Sequence, residues 1–164
     1  MILYIVRHGI AVAHETEGVL EEERPLTEEG MEKMNKGARG LRALEVRPDL
    51  ILTSPLIRAR QTAEILQRVL GEAISLESID ALASGNHEEV YQAIQHRAKL
   101  DAMMLVGHQP SLGEIAGEIA WGSGEHYVEL KKGGACCLQI DSLRPSPRGT
   151  MLWLLTPAVL RAIR

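Results

Sequence analysis

Arg7, His8, Ser54, Arg58 and His108 are side chains whose types and positions fit one piece of chemistry, the binding of an anion. Each stands at or just past the end of a short apolar run. Ile2 to Val6 stops at Arg7-His8-Gly9. Leu50 to Thr53 stops at Ser54, with Arg58 one helical turn further on, and Ala102 to Val106 stops at Gly107-His108. In open α/β sheets, ligands sit outside the carboxyl ends of the strands. Two arginines and two histidines converging on one face describe an anion site, and a planar guanidinium fork suits a phosphate better than a point charge does. Taken singly, each group has an ordinary explanation, as a solvated side chain or a partner for a loop carbonyl. Arg7 and Arg58 have another, a buried structural ion pair. The coincidence of three strand ends favours the anion site.

The elements that must position these groups are legible in the apolar pattern. Ile2 to Val6, Leu50 to Thr53 and Ala102 to Val106 are short, continuous and partly β-branched, as strands buried on both faces are. Residues 14–33 hold eight glutamates (15, 17, 21, 22, 23, 28, 29 and 32) and read as a solvated loop leading into a helix. Thr27-Glu28-Glu29-Gly30 predicts the helix start, with Thr27 as N-cap and two acids at the positive end of the dipole. Met31, Met34, Ala38, Leu41 and Leu44 mark its apolar face to about Leu44. Pro48-Asp49 turns the chain into the second strand. Ser54-Pro55 then opens a helix buried through Ala59, Ala63, Leu66 and Leu70. Ile74 to Ile79 is a weaker strand, followed by a loop at Ser84-Gly85-Asn86 and a helix from about His87 to Arg97. Past His108 a helix carries Leu112, Ile115, Ala116 and Ile119. Ser111 either caps it or offers its hydroxyl to the site, and the cap is preferred. Gly134 to Asp141 and Met151 to Leu155 predict antiparallel strands joined by the turn-rich Arg144 to Gly149. Strand and helix alternate through the first two thirds, which predicts helices on both sides of a mostly parallel sheet.

The chain has 164 residues, the size of one domain, so a single unit over 1–164 is expected. Hydrophobic residues are 45% and aromatics only 3%, with no Phe, so the core must be aliphatic. A net charge of −4 argues against a protein that coats nucleic acid or an anionic membrane by bulk charge, so any anion must be handled locally. Cys136 and Cys137 are neighbours and cannot staple distant segments, which points to a reducing, cytoplasmic setting. No apolar run approaches the roughly 18 residues of a membrane helix, and the N-terminal run lacks the features of a signal peptide.

Four segments resemble the ordered motifs of the histidine phosphatase superfamily. They are Arg7-His8-Gly9 after an N-terminal strand, Arg24-Pro25-Leu26-Thr27-Glu28-Glu29-Gly30, Ser54-Pro55-Leu56-Ile57-Arg58-Ala59-Arg60-Gln61-Thr62-Ala63, and Val106-Gly107-His108-Gln109-Pro110. The short length and the Arg-Pro-Leu-Thr segment resemble its SixA-type phosphohistidine phosphatase branch. The resemblance implies a phosphoglycerate mutase-like, three-layer α/β/α sandwich with a mostly parallel sheet of about six strands, at least one of them antiparallel. It implies that His8 is the nucleophile and forms a phosphohistidine intermediate, that Arg7 and Arg58 bind phosphoryl oxygens, and that His108 completes the pocket. A neutral imidazole is nucleophilic at pH 7, and two guanidiniums stabilise the equatorial oxygens during in-line transfer. Arg24 matches an arginine near the site in the SixA-type pattern; pairing with Glu21 or Glu28 explains it equally well. No cofactor is implied. The implied partner is a phosphorylated substrate, with a phosphohistidine-bearing signalling or phosphocarrier protein preferred.

The chain departs from the wider family at Ile10, where mutase-like members carry an acidic residue, and at Gln109, where Asn is usual. No glutamate convincingly matches the general acid; Asp80, Glu88 and Glu89 are candidates and equally ordinary surface residues. A missing acid favours phosphohistidine, because imidazole leaves more easily than an alkoxide. The alternatives are a sugar- or metabolite-phosphate phosphomonoesterase and a non-catalytic phosphate- or phosphoprotein-binding module. Six histidines raise a metal hydrolase as a rival, but their spacing holds no His-x-x-x-His pair and the chain no Cys-x-x-Cys.

Overall fold

Apolar runs and amphipathic segments alternate along the chain, and in a computed structural model, which describes residues 1–122 and 126–164, they form one sheet covered by helices on both faces. In chain order the elements are β1 (Ile2–Arg7), α1 (Glu28–Ala43), β2 (Leu50–Thr53), α2 (Ile57–Leu70), β3 (Ser75–Ser78), α3 (Ala81–Ser84), α4 (His87–Gln95), β4 (Ala102–Gly107), α5 (Ser111–Trp121), β5 (Ala135–Ser142), β6 (Arg148–Leu155) and α6 (Pro157–Ala162). The sheet order is β3-β2-β4-β1-β5-β6. β3, β2, β4 and β1 pair in parallel, β5 lies antiparallel to β1, and β6 antiparallel to β5.

Alternation along the strands divides the core in two. Leu3, Ile5, Leu52, Met103 and Leu105 pack with Leu82 of α3, Val90 and Ile94 of α4, and Leu112 and Ile115 of α5. Val6, Ile51, Met104 and Val106 pack with Met34 and Leu41 of α1, Ala63 and Leu66 of α2, and Leu160 of α6. The core is aliphatic, and the Tyr4–Trp153 ring pair lies beside it, only partly buried. Cys136 and Cys137 are buried free thiols whose burial pushes their pKa values up to about 12 and about 11, so they pack as small hydrophobes. No helix among the described residues is long and apolar enough to cross a membrane.

The chain departs from its sequence pattern at a few points. Thr27 caps α1 as expected, accepting from the Gly30 amide, but Met31 and Leu44 are exposed. The buried face of α1 runs through Gly30, Met34, Gly37, Ala38, Gly40 and Leu41, because glycine lets other backbone come close. A Cβ on Gly30 would stand 2.0 Å from the Ile10 carbonyl oxygen, and one on Gly40 1.9 Å from that of Leu160. Ser111 does not cap α5. Pro110 holds the N-cap position and the Ser111 hydroxyl is buried without a partner among the described residues, while the Gln109 side chain accepts from the Gly113 amide in the first turn at 2.8 Å. α4 ends at Gln95, and β6 begins at Arg148, inside the stretch expected to turn, because Arg148 and Gly149 still pair with Ser142 and Ile140. α6, capped by Thr156 with Pro157 at its start, is an element the apolar pattern did not reveal.

Candidate active site

The parallel register brings three strand ends level. Thr53 pairs with Val106, Val6 with Val106 and Arg7 with Gly107, so Ser54, His108 and His8 emerge side by side. The backbone ties this edge together: the His8 amide donates to the Gly107 carbonyl at 3.0 Å and the Ser54 amide to that of Val106 at 2.9 Å. β1 and β4 are neighbours whose following helices, α1 and α5, cover opposite faces of the sheet. Adjacent strands whose connections part in this way leave a crevice at their carboxyl ends. His8 and His108 occupy it, with ring centroids 5.1 Å apart.

His8 is 6% exposed, and its Nδ1 lies 2.7 Å from the Gly9 carbonyl oxygen. A carbonyl only accepts, so Nδ1 carries the proton and Nε2 keeps a free lone pair. Burial, reinforced by the neighbouring His108, Arg58 and Arg7, pushes the pKa of His8 down to about 3. The ring is therefore neutral at pH 7. His108 is also held neutral, with its pKa pushed down to about 4 by burial first and then by Arg58, Arg24 and Arg7. Its Nε2 lies 2.7 Å from Ser54 Oγ, which also accepts from the Leu56 amide at 3.2 Å. His108 Nε2 is the one acceptor within reach of the Ser54 hydroxyl proton among the described residues, so Ser54 is satisfied by donating to it, which puts the ring's own proton on Nδ1. That Nδ1 is buried and has no partner among the described residues.

Arg7, the last residue of β1, anchors one guanidinium nitrogen, Nη1, on the Leu130 carbonyl at 2.8 Å. Arg58, in the first turn of α2, donates from Nη1 to the Glu21 carbonyl at 2.8 Å and from Nη2 to Glu21 Oε1 at 3.2 Å. The Nε of each is buried without a partner among the described residues. These are donors in a neutral-histidine pocket, as an oxyanion requires. Arg24 pairs with Glu21, the simpler of the two expectations made for it, and does so in the wall of the pocket. Its Nε donates to the Glu21 carboxylate at 2.7 Å and its Nη2 at 2.6 Å, while Nη1 donates to the Val12 carbonyl at 2.8 Å. The cavity, of about 330 Å³, is lined by Arg7, His8, Arg24, Arg58 and His108 together with Val12, His14, Glu21, Gln109 and Lys132.

Three of these lining residues escape a reading by strand ends. Glu21 lies in the acidic loop expected to be solvated, and its spacing to Arg24, i to i+3, was the available signal. Its carboxylate is held ionised, its pKa lowered first by the hydrogen bond from Arg24. His14, 2.9 Å from the same carboxylate, and Lys132 carry no local signal. Asp80, Glu88 and Glu89 are not in the cavity wall; Asp80 precedes α3, and Glu88 is exposed and bonded to Gln92 and Arg144. The Gln109 amide is committed to the fold, accepting from Gly113 and donating to Tyr127 and Val128. Thr62 supports the site from behind: its hydroxyl accepts from the Gly9 amide at 3.0 Å and donates to the Arg58 carbonyl at 2.7 Å, joining the loop after β1 to α2. Among the described residues, no group of three or more His, Cys, Asp or Glu side chains is arranged to hold a metal ion.

Residues 3–132 match the family model of the histidine phosphatase superfamily (branch 1). An uncharacterized protein of Picosynechococcus sp. (strain ATCC 27264 / PCC 7002 / PR-6) is 38% identical over 159 residues, covering 88% of each chain. Phosphohistidine phosphatase SixA of Escherichia coli (strain K12) is 26% identical over 98% of this chain and 97% of its own. The solved structure of the protein histidine phosphatase SixA complexed with tungstate has the same fold, with a TM-score of 0.81, 25% sequence identity, and coverage of 98% of this chain and 99% of that one.

Proposed function

The chain belongs to the histidine phosphatase superfamily (branch 1), and on that premise we propose that it is a phosphohistidine phosphatase acting through a phosphorylated His8. The observation that carries the reading is the state of His8: buried, neutral, with Nδ1–H committed to the Gly9 carbonyl and Nε2 left as the nucleophile.

In the first step the Nε2 lone pair attacks phosphorus, the bond from phosphorus to the substrate's imidazole nitrogen breaks, and the departing imidazole takes a proton from water. In the second, the hydroxide left by that proton transfer attacks the phosphoryl group, the bond from phosphorus to Nε2 breaks, and inorganic phosphate leaves with neutral His8 restored. Arg7 and Arg58 spread the charge of the phosphoryl oxygens in both steps, and His108 Nδ1–H donates to them. Arg24 joins them when its Nε and Nη2 exchange the Glu21 carboxylate for phosphoryl oxygens.

The choice of substrate rests on the leaving group. Glu21 is the carboxylate in the cavity wall, and Arg24 and Arg58 hold it ionised, so it has no proton to give. An alkoxide leaving from a sugar phosphate needs that proton far more than an imidazole does. The SixA relative is named as a phosphohistidine phosphatase, which supports the same choice. The test is a side-by-side measurement of kcat/KM on a phosphohistidine-containing protein and on a panel of sugar and nucleotide phosphates. A clear preference for phosphohistidine is expected; a far higher kcat/KM on one small metabolite would place the enzyme in the metabolite-phosphatase class instead.

A further inference from the structure

We propose that the seam between α1 and α6 is a docking groove for an acidic segment of the phosphorylated protein substrate. This rests on the proposal that the substrate is a protein, and extends it to the surroundings of the phosphoryl group.

The groove starts at the catalytic pocket. Lys132 belongs to the wall of that pocket and also to a smaller concavity of about 160 Å³ that includes Gly9, Lys33 and Arg161. Arg161 in turn belongs to a third concavity, of about 410 Å³, with Lys36, Arg39 and Arg42. Lys132 and Arg161, each in the wall of two neighbouring concavities, set the three in a row from the His8 pocket along α1. The backbone dictates it: Gly40 takes the Leu160 carbonyl where a Cβ would stand, which seats α6 directly on α1 and brings Arg161 beside the α1 cations. Lys33 to Arg42 spans about 14 Å of helix, room for about four residues of extended chain.

The charge of this path is lopsided. Lys33 and Lys36 pair with Glu29 and Glu32, whereas Arg39, Arg42, Lys132 and Arg161 have no carboxylate partner among the described residues. In a chain of net charge −4, four unpaired cations along one concave seam are a local reversal of the overall field. Arginine suits carboxylates because its fork donates to both carboxylate oxygens at once. The occupant that matches is a run of Asp and Glu adjoining the phosphorylated residue, drawn in by the groove while the phosphoryl group enters the pocket.

The test uses two phosphohistidine peptides, one with acidic residues beside the phosphohistidine and one with those residues replaced by Gln, and phosphoramidate as a small substrate. Wild type is expected to show a kcat/KM about tenfold higher on the acidic peptide at low salt, with the preference fading as salt is raised. The triple variant Arg39→Glu/Arg42→Glu/Arg161→Glu is expected to lose the preference while hydrolysing phosphoramidate as wild type does. Should that variant fail to fold, Arg39→Gln/Arg42→Gln is expected to reduce the preference severalfold. In parallel, fluorescence anisotropy of the unphosphorylated acidic peptide is expected to show binding to wild type and a large loss in the variant. No preference in wild type, or an undiminished one in the variant, would overturn the groove. Selective binding without phosphohistidine hydrolysis would uphold the groove and overturn the substrate reading.

Discussion

Arg58 grips Glu21 twice, through the backbone carbonyl at 2.8 Å and the carboxylate at 3.2 Å. The arginine expected to hold a phosphoryl group thus holds a carboxylate of the protein's own acidic loop, which Arg24 shares. A carboxylate and a phosphoryl oxygen present the same charge and the same lone pairs to a guanidinium, so they compete.

Replacing Glu21 by Gln removes the competing charge and keeps the size. Glu21→Gln is expected to bind an oxyanion inhibitor such as vanadate roughly two- to fivefold more tightly, as loss of a weak, solvent-screened pair would allow. Inhibition constants for both proteins check this. Weaker inhibition of the variant would mean that Glu21 instead orders the arginines for the substrate.

The low pKa values of His8, about 3, and His108, about 4, fix the expected pH dependence. Both rings stay neutral as pH falls past 6.5, so kcat/KM, corrected for ionisation of the substrate, should stay level down to about pH 5 and fall only near pH 4. Stability behaves differently. Between pH 6.5 and about 3 the unfolded chain takes up protons at these rings that the folded one does not, so stability falls as pH drops through that window and is complete above it. A pH–rate profile with its acid limb centred near 6.5 would contradict the neutral pair.

Thr62 is fully buried and joins Gly9 to Arg58 through one hydroxyl. Thr62→Val keeps the shape and leaves the Gly9 amide unsatisfied, which should cost about 1–3 kcal/mol in urea unfolding. Because Thr62 ties the residue whose carbonyl holds His8 Nδ1 to an arginine of the cavity wall, kcat should fall more than KM rises. A stability loss with kinetics unchanged would reduce Thr62 to a purely structural role.

Two glycines of α1 separate close approach from ordinary helix propensity. A Cβ on Gly40 would lie 1.9 Å from the Leu160 carbonyl oxygen, so Gly40→Ala must push α6 away and should destabilise by about 1–3 kcal/mol. At Gly37 the nearest atom, Leu160 Cβ, is 4.0 Å away, so Gly37→Ala should be neutral or stabilising by up to about 1 kcal/mol. Urea midpoints of the two variants give the comparison, and similar values would contradict the seating of α6 on α1.

The strand-end residues were legible because a buried parallel strand writes itself as an uninterrupted apolar run, and the residues just past its end must face the carboxyl edge. His8, Ser54, Arg58 and His108 were placed by that rule. Glu21, His14 and Lys132 reach the pocket from loops, where position depends on tertiary contacts such as the Arg24 and Arg58 grip on Glu21, and no periodicity encodes those. Ser111 departs from its sequence signal for a related reason: a serine after proline has the composition of a cap, but here Pro110 precedes the helix and the hydroxyl turns inward. α6 is one and a half turns long, too short for its apolar residues to show a period, and is held by Leu160 against the glycine face of α1.

In the proposed reaction every phosphoryl group passes through His8. The direct measurement is to mix the enzyme with a radiolabelled phosphohistidine peptide, quench in alkali within one turnover, digest, and locate the label. A base-stable, acid-labile label is predicted on the peptide containing His8. None is predicted in His8→Ala, whose phosphate release should be at least about a thousandfold slower. An unlabelled wild type, together with a His8→Ala variant that still turns over at the wild-type rate, would contradict the claim.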